Sequence, residues 1–507
     1  MSHEKSSNGL IQFLFGNSLF LISGTVIALT WANLDAAWGT HTHKAFFNYD
    51  LRALVGMAPE GHDEHAGDHE EHGATEHDES GAAGHDEPAA HSEPEAEGAD
   101  QGEADASTST PETASATPTE TGADNAAGST DSEVANAAPQ TEAKEDHGGG
   151  HHGLSLYFII NDVLMAIFFG IAGKEVWESM LPGGALSNPR KAAVPLLATA
   201  GGVFGPALLY VAGVFMFSTW GELGKGWAIP CATDIAFSYL VARIVFGVGH
   251  PAIAFLLLLA IADDAAGLVI LAAFYPDPNI PVQPLWLLLS AAGIGLGFVF
   301  RGMKLHSFWW YVLIPGVMSW YAFLQAGIHP ALGLVPIIPV MPHAHTDLGI
   351  FATKELGRHD TLNEFEHFFK NPTEVILGLF GLSQAAVAFS AVDTGTWLVL
   401  AGLLLGKPVG ITFLTLFADK VLKLQLPEGM SYRHVVTLGC AAGIGFTVAL
   451  FVSSAAFRDP GPIQDSVKMG ALGSFGAAII TIVVGRALGI RPHKPTDEEP
   501  VAESAAH

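Results

Sequence analysis

Two adjacent carboxylates, Asp263 and Asp264, stand in the middle of the run Leu256 to Ala273, which has the hydrophobicity of a membrane-spanning helix. One aspartate at the centre of a spanning helix costs roughly 2.5–3.5 kcal/mol on the insertion scale, and a like charge beside it adds repulsion. Packing has no use for such a pair, whereas an ion or proton pathway does. Sodium and lithium are hard ions that take oxygen ligands, and two close carboxyls in a partly desolvated cavity titrate as a coupled pair. The chemistry expected is one seat that a cation and protons occupy by turns. The plainer alternative is a structural pair satisfied by neighbouring helices or by a buried base.

Three further stretches place polar groups at the same depth. Trp227-Ala-Ile-Pro230-Cys-Ala-Thr233-Asp234 puts a proline, a hydroxyl and a carboxylate early in an apolar segment, and Pro230 removes a backbone donor there, so a break or kink is expected. Gly439-Cys-Ala-Ala-Gly443-Ile-Gly445-Phe-Thr447 is rich enough in glycine to unwind as well. Half-helix ends at membrane depth carry partial charges that need partners. Asp234 suits converging helix N-termini, and Lys407 suits helix C-termini or an aspartate; an ordinary buried ion pair is the competing reading for both.

The elements that must position these groups are apolar helices. Runs able to span occur near residues 10–33, 154–180, 191–218, 227–248, 251–275, 283–300, 305–325, 329–342, 373–392, 395–416, 432–457 and 466–489. The fold class expected is an all-α polytopic membrane protein of about twelve spans, with inverted repeats and two broken, crossing helices, the fourth and the eleventh. Fifteen Lys and Arg then fall on one side and six on the other, which places both termini in the cytoplasm. The divisions expected are residues 1–57 with the first span, an insert at 58–153, spans two to twelve over 154–489, and a cytoplasmic tail at 490–507.

Of the 507 residues, 49% are hydrophobic and 15% charged, and the net charge of −28 is mostly local. Between Glu60 and His152, 25 Asp and Glu face the single base Lys144, which accounts for −24 of the −28. The insert holds ten of the 23 histidines and has almost no core-forming residues, so disorder outside the cell is expected, with weak divalent-metal binding at most. Cys231 and Cys440 supply no disulfide framework and read as small packing residues.

In order along the chain, Asn161-Asp162-Val-Leu-Met-Ala-Ile-Phe-Phe, Gly173-Lys-Glu175-Val, Gly226 to Phe237, Ala262-Asp263-Asp264, Gly327-Ile-His329, Gly406-Lys407-Pro-Val-Gly-Ile, Leu426-Pro-Glu-Gly429 and Gly443-Ile-Gly-Phe-Thr447 resemble the NhaA-type sodium/proton antiporters. The match covers nearly all of the membrane portion but not the insert. Paired broken helices in corresponding places of two halves mark a transporter site, a rule to which this family itself contributes.

The resemblance implies electrogenic, pH-regulated exchange of intracellular Na+ or Li+ for extracellular H+, about two protons per sodium, in a bacterial inner membrane. It makes Asp264 the principal ion and proton carrier, with Asp263, paired to Lys407 in one state, and Thr233 beside it. Asp234 and Asp162 are supporting carboxylates, Pro230, Gly443 and Gly445 shape the breaks, and Glu175, Glu366, His367 and His329 belong to the pH response. Val176 to Ser179 departs from the usual pattern, which is richer in bases, and Lys370 stands where a histidine is common. The partners implied are the bilayer and a second copy in a homodimer; no cofactor and no nucleic acid is expected, and no enzymatic activity. The alternatives are an intramembrane aspartyl protease using Asp234 and Asp263, although the Gly443-Ile-Gly445-Phe446 stretch lacks the acid of that motif, and a same-fold transporter of another substrate, for which Lys407 is the one basic residue available.

Overall fold

Backbone that lies in hydrocarbon has no water to bond, so an apolar chain closes its own hydrogen bonds as helices. The computed structural model describes residues 19–52, 154–184, 186–277, 281–343 and 360–493. The elements that matter here are α1 (Leu19–Trp38), α2 (Thr42–Asn48), α3 (Leu156–Met180), α4 (Pro189–Met216), α5 (Trp220–Cys231), α6 (Ile235–Phe246), α7 (Pro251–Phe274), α8 (Pro284–Gly302), α9 (residues 308–326), α10 (Pro330–Val340), α11 (Thr361–Gln384), α12 (Thr394–Lys420), α13 (Tyr432–Ala442), α14 (Phe446–Ala456) and α15 (Pro462–Ala487).

Among the described residues seven helices are long and apolar enough to cross a membrane, and the bent pairs α5/α6 and α13/α14 bring the number to nine. The other three expected spans are helical without meeting that measure. Trp and Tyr dilute the apolarity of α9, α10 is short, and α11 opens on the polar turns Thr361-Leu-Asn-Glu-Phe-Glu-His. Sequence expectation started that ninth span near residue 373. The helix begins twelve residues earlier because Asp360 caps it, accepting the Asn363 N–H at 2.8 Å.

Both expected breaks are present. Between α5 and α6 the axis bends by 53°, and between α13 and α14 by 50°. A tight 3-10 stretch, Gly224–Cys231, ends α5 just after Pro230, and Ala232 and Asp234 are extended. The two breaks cross in contact: the Asp234 N–H donates to the Ile444 carbonyl at 2.7 Å. A Cβ at Gly445 would lie 2.7 Å from the Ala232 carbonyl oxygen, so the crossing demands a residue without a side chain. The helix that carries Lys407 approaches just as closely. A Cβ at Gly410 of α12 would sit 2.1 Å from the Gly201 oxygen of α4, the small-residue contact typical of helices in lipid.

The insert at 58–153 lies outside the described residues, but the residues that flank the stretch 53–153 are placed. Asp50 and Ser155 form an antiparallel bridge, and the Leu51 N–H donates to the Leu154 carbonyl at 3.0 Å. The chain thus leaves and re-enters the helical body at one point. Residues 53–153 form a loop of 101, and removing the unit Glu60–Gly148, which is 89 residues, leaves a connection of 12. Three halvings of loop length lower the closure cost by about 2 kcal/mol in total. We expect this deletion to fold and to melt in detergent at or slightly above the temperature of the full chain; a lower melting temperature would mean that the insert packs on the helices.

Candidate functional site

Interrupting two helices leaves four half-helix ends, and each has a polar partner. The Asp234 carboxylate serves both N-termini. Its Oδ1 accepts the Phe237 N–H of α6 at 3.3 Å, and its Oδ2 accepts the Thr447 N–H of α14 at 3.4 Å and the Thr447 hydroxyl. The C-terminal ends are met by donors. Lys407 Nζ donates to the Cys231 carbonyl, the last of α5, at 2.5 Å, while the Ser238 hydroxyl donates to the Ala441 carbonyl of α13 at 2.9 Å and the Thr233 hydroxyl lies 3.1 Å from the Ala442 carbonyl. Sequence reasoning offered Lys407 either a helix C-terminus or an aspartate, and the structure gives it both. Its Nζ also donates to Asp263 Oδ2 at 2.8 Å, with both side chains fully buried.

The two neighbouring aspartates differ sharply. Asp263 Oδ2 accepts from Lys407 and from the Thr233 hydroxyl at 2.7 Å. Asp264 is a step further round α7 and faces away from that contact, into a small cavity of about 10 Å³ between α3, α7 and α14, walled by Phe168, Phe169, Leu271, Val448 and Val452. That is about the room of one water. Asp263 Oδ1 and Asp264 Oδ1 are both buried without a hydrogen-bond partner among the described residues. Native proteins seldom tolerate such acceptors, and a pair of them on adjacent residues is the expected signature of a ligand position. Asp263 and Thr233 are thus brought together under Lys407, while Asp264 waits apart, with Asp263, Glu175 and Asp234 as the acidic charges acting on it.

Above and below this layer lie groups that the sequence placed less fully. Asn161 and Asp162 occupy a widened turn of α3, Ile159–Leu164, whose freed carbonyls are taken up by side chains: Trp320 Nε1 donates to the Asp162 carbonyl at 2.8 Å and Asn161 Nδ2 to the Tyr157 carbonyl at 2.9 Å. His329 Nδ1 lies 3.7 Å from Asp162 Oδ1, so these two expected members stand close. Sequence reasoning missed the network around Gln384. Its amide donates to Asn161 Oδ1 at 2.6 Å and the Tyr157 hydroxyl at 3.0 Å, and accepts from the Ser454 hydroxyl at 2.6 Å, tying α3, α11 and α14. It also missed Arg458, which pairs with Asp277 at 2.5 Å.

At the other end of α3, the expected pH-response residues separate. Glu366 binds Lys174, which is 4% exposed and also pairs with Glu178 at 2.5 Å; this triad joins α3 to α11. Glu175 makes no hydrogen bond among the described residues, and His367 is exposed. Lys174 and Glu178 were visible in the sequence only as charges in or near a span. Their signal was a lysine and a glutamate at i and i+4, the spacing that shares a helix face.

A family model described as Na+/H+ antiporter 1 matches residues 127–485. The Na(+)/H(+) antiporter NhaA of Jannaschia sp. (strain CCS1) is 53% identical over 365 residues, covering 67% of this chain and 86% of the relative. That of Geobacter sulfurreducens is 48% identical over 339 residues, with 67% and 88% covered, and that of Desulfitobacterium hafniense (strain Y51) is 46% identical over 365, with 71% and 92% covered.

The buried pair offers a direct test. Removing Lys407 alone, as Lys407→Met, leaves a carboxylate and a helix C-terminus without their donor and should destabilise by about 3–5 kcal/mol. Adding Asp263→Asn should recover most of that loss. Chemical denaturation of the two single variants and the double variant measures it, and simple additivity of the two changes would show that the contact carries no coupling.

Proposed function

The chain belongs to the Na+/H+ antiporter 1 family, and on that premise we propose that it exchanges intracellular Na+, or Li+, for extracellular H+ at the helix crossing. The observation that carries this reading is the pair of orphaned, buried oxygens on Asp263 and Asp264. With Lys407 charged, the two carboxylates and one ammonium leave the site one negative charge. Either a sodium ion or a proton neutralises it, and the two exclude one another because both need the same oxygens. Asp234 is not available as half of a catalytic dyad, since both of its oxygens are spent on helix N-termini.

Asp264 receives the cation first, because its neighbour's Oδ2 is held by Lys407 and Thr233. Bringing Asp263 into the same coordination sphere requires Lys407 to let go. The proton released from Asp264, together with one that the Lys407 ammonium gives up once it has let Asp263 go, makes the exchange two protons per sodium and therefore electrogenic. Moving the site's access from one membrane face to the other amounts to rocking the α5/α6 and α13/α14 crossing against its surroundings, with the loaded forms mobile and the empty charged form held back. The distribution of the bases supports assigning both termini to the cytoplasm, and membership of the family supports assigning the chain to a bacterial inner membrane. We assign it no cofactor beyond the transported ions, a homodimer as its assembly, and pH regulation to the groups along α3 and α11.

In proteoliposomes, Asp264→Asn should abolish Na+-driven proton movement, whereas an imposed voltage should accelerate or slow the wild type according to its sign, one net charge being worth about 2.3 kcal/mol per 100 mV. Retention of the original flux by a correctly inserted Asp264→Asn protein would end this account. A rate indifferent to voltage would remove the two-for-one ratio alone.

A further inference from the structure

Three histidines meet where α7 begins, at the end of the molecule assigned above to the cytoplasm. His250 is the N-cap of α7, its Nδ1 accepting the Ala252 N–H at 3.1 Å. His434 is at the third position of α13, and its Nδ1 accepts the Ser431 N–H at 3.1 Å, one half of a reciprocal capping box completed by the Ser431 side chain. The two rings meet edge to face with centroids 4.7 Å apart, and Phe246 stacks on His250 at 5.5 Å. His493 lies 6.5 Å from His250, on a segment fastened to α6 by the bond from its N–H to the Phe246 carbonyl at 2.7 Å.

Both caps require a bare Nδ1. A neutral imidazole that accepts there carries its proton on Nε2, and an imidazolium has no acceptor left. One more proton on either ring therefore deletes a cap and puts positive charge at a helix N-terminus, where the backbone dipole is already positive. The helices concerned are the one that carries Asp263 and Asp264 and the first half of the second broken span. We propose that His250 and His434 are positioning residues for exchange: unprotonated, they hold the inner ends of α7 and α13 against each other, and protonated, they release both, switching transport off as the inner pH falls. This rests on the exchange reading above.

Among the described residues no carboxylate faces the pair to stabilise its charged form. The titratable groups acting on His250 are His434 from α13 and His493 from the segment after α15. From α6 comes the neutral ring of Phe246, with Arg243 engaged over Tyr239 at 5.6 Å. At the end of α12, Asp419 takes the Tyr432 hydroxyl and has Lys420 4.0 Å away. Lys423, Glu428, Arg433 and Arg491, the remaining charged residues on these segments, form no ion pair with either ring among the described residues. Burial and the two neighbouring imidazoles hold His250 below the ordinary histidine value. With its folded-state value depressed, the cap is complete above the unfolded value of about 6.5 and is lost as pH falls through the lower folded one.

Capping and titration can be separated. Asn is among the best N-caps and Gln is a usual third-position partner in a capping box, so His250→Asn with His434→Gln keeps both caps and removes both switches. In proteoliposomes, with Na+ saturating so that proton competition at the aspartates is suppressed, this double variant should match the wild-type rate at alkaline pH. Its acid midpoint should lie about one pH unit below that of the wild type, the acid limb that remains being that of the groups along α3 and α11. His250→Ala with His434→Ala, which lacks the caps at every pH, should be slow throughout. An acid limb unchanged in the Asn/Gln variant overturns the proposal; a wild type without Na+-driven flux at any pH overturns the exchange reading instead. Should a variant fail to fold, hydrogen exchange on the unaltered full chain decides. Protection of peptides covering residues 250–256 and 431–437, corrected for intrinsic rates, should fall by about tenfold between pH 8 and pH 5, and constant protection overturns the proposal.

Discussion

A helix can be interrupted inside a bilayer only if every backbone group it frees finds a partner within the protein. The architecture of this chain follows from meeting that demand twice at one place. Asp234 satisfies two N-termini with one carboxylate, and Lys407 satisfies one C-terminus with an ammonium that also holds Asp263. The compensation is reciprocal, because one break alone would leave Asp234 with a single helix and an uncompensated charge. The close crossing, in turn, excludes a side chain at Gly445, and the approach of α12 to α4 excludes one at Gly410.

The same arrangement divides two chemically identical neighbours. Successive residues on a helix point about 100° apart, so Asp263 and Asp264 face different surroundings although they are adjacent in sequence. One is tied to a lysine and a threonine, and the other borders an apolar cavity with its buried Oδ1 unengaged among the described residues. Two aspartates with one environment would repel and bind protons alike. Two environments let the site keep one charge fixed and trade the other, which is what an exchanger needs from its ground state. The Gln384 network and the Lys174 triad join the same pair of helices, α3 and α11, at opposite ends of α3, so the wall beside Asp264 is pinned beyond the cavity in both directions.

Much of this was legible along the chain. Apolar runs revealed the spanning helices, because a window of hydrophobic residues has no other fate in lipid, and Pro230 and the Gly443 to Gly445 stretch revealed both breaks. The residues of the crossing, Asp263, Asp264, Thr233, Asp234 and Lys407, were found because charged and hydroxyl groups at membrane depth have few reasons to exist. Less was legible at the ends of the helices. Gln384, Asn161 and Ser454 are ordinary polar residues in sequence, and only the packing of three helices turns them into one network. His250 and His434 lie 184 positions apart in sequence, and nothing local says that their rings touch. The extent of α11 was misjudged because its first turns are polar, and hydropathy is blind to a helix that a cap and buried Leu362 and Phe365 hold in place.

The sequence by itself determined that the chain is helical and lives in a membrane, where it breaks, and which side chains are too expensive at that depth to be incidental. Those conclusions depend on hydrophobicity and backbone chemistry, which are local. Tertiary structure alone decided that Lys407 meets Asp263 and a helix C-terminus at once, which oxygen of Asp234 meets which half-helix, and which polar residues meet at each end. Those outcomes depend on distances of about 3 Å between groups tens to hundreds of residues apart, and no periodicity in a one-dimensional string encodes which of several equal candidates comes within reach.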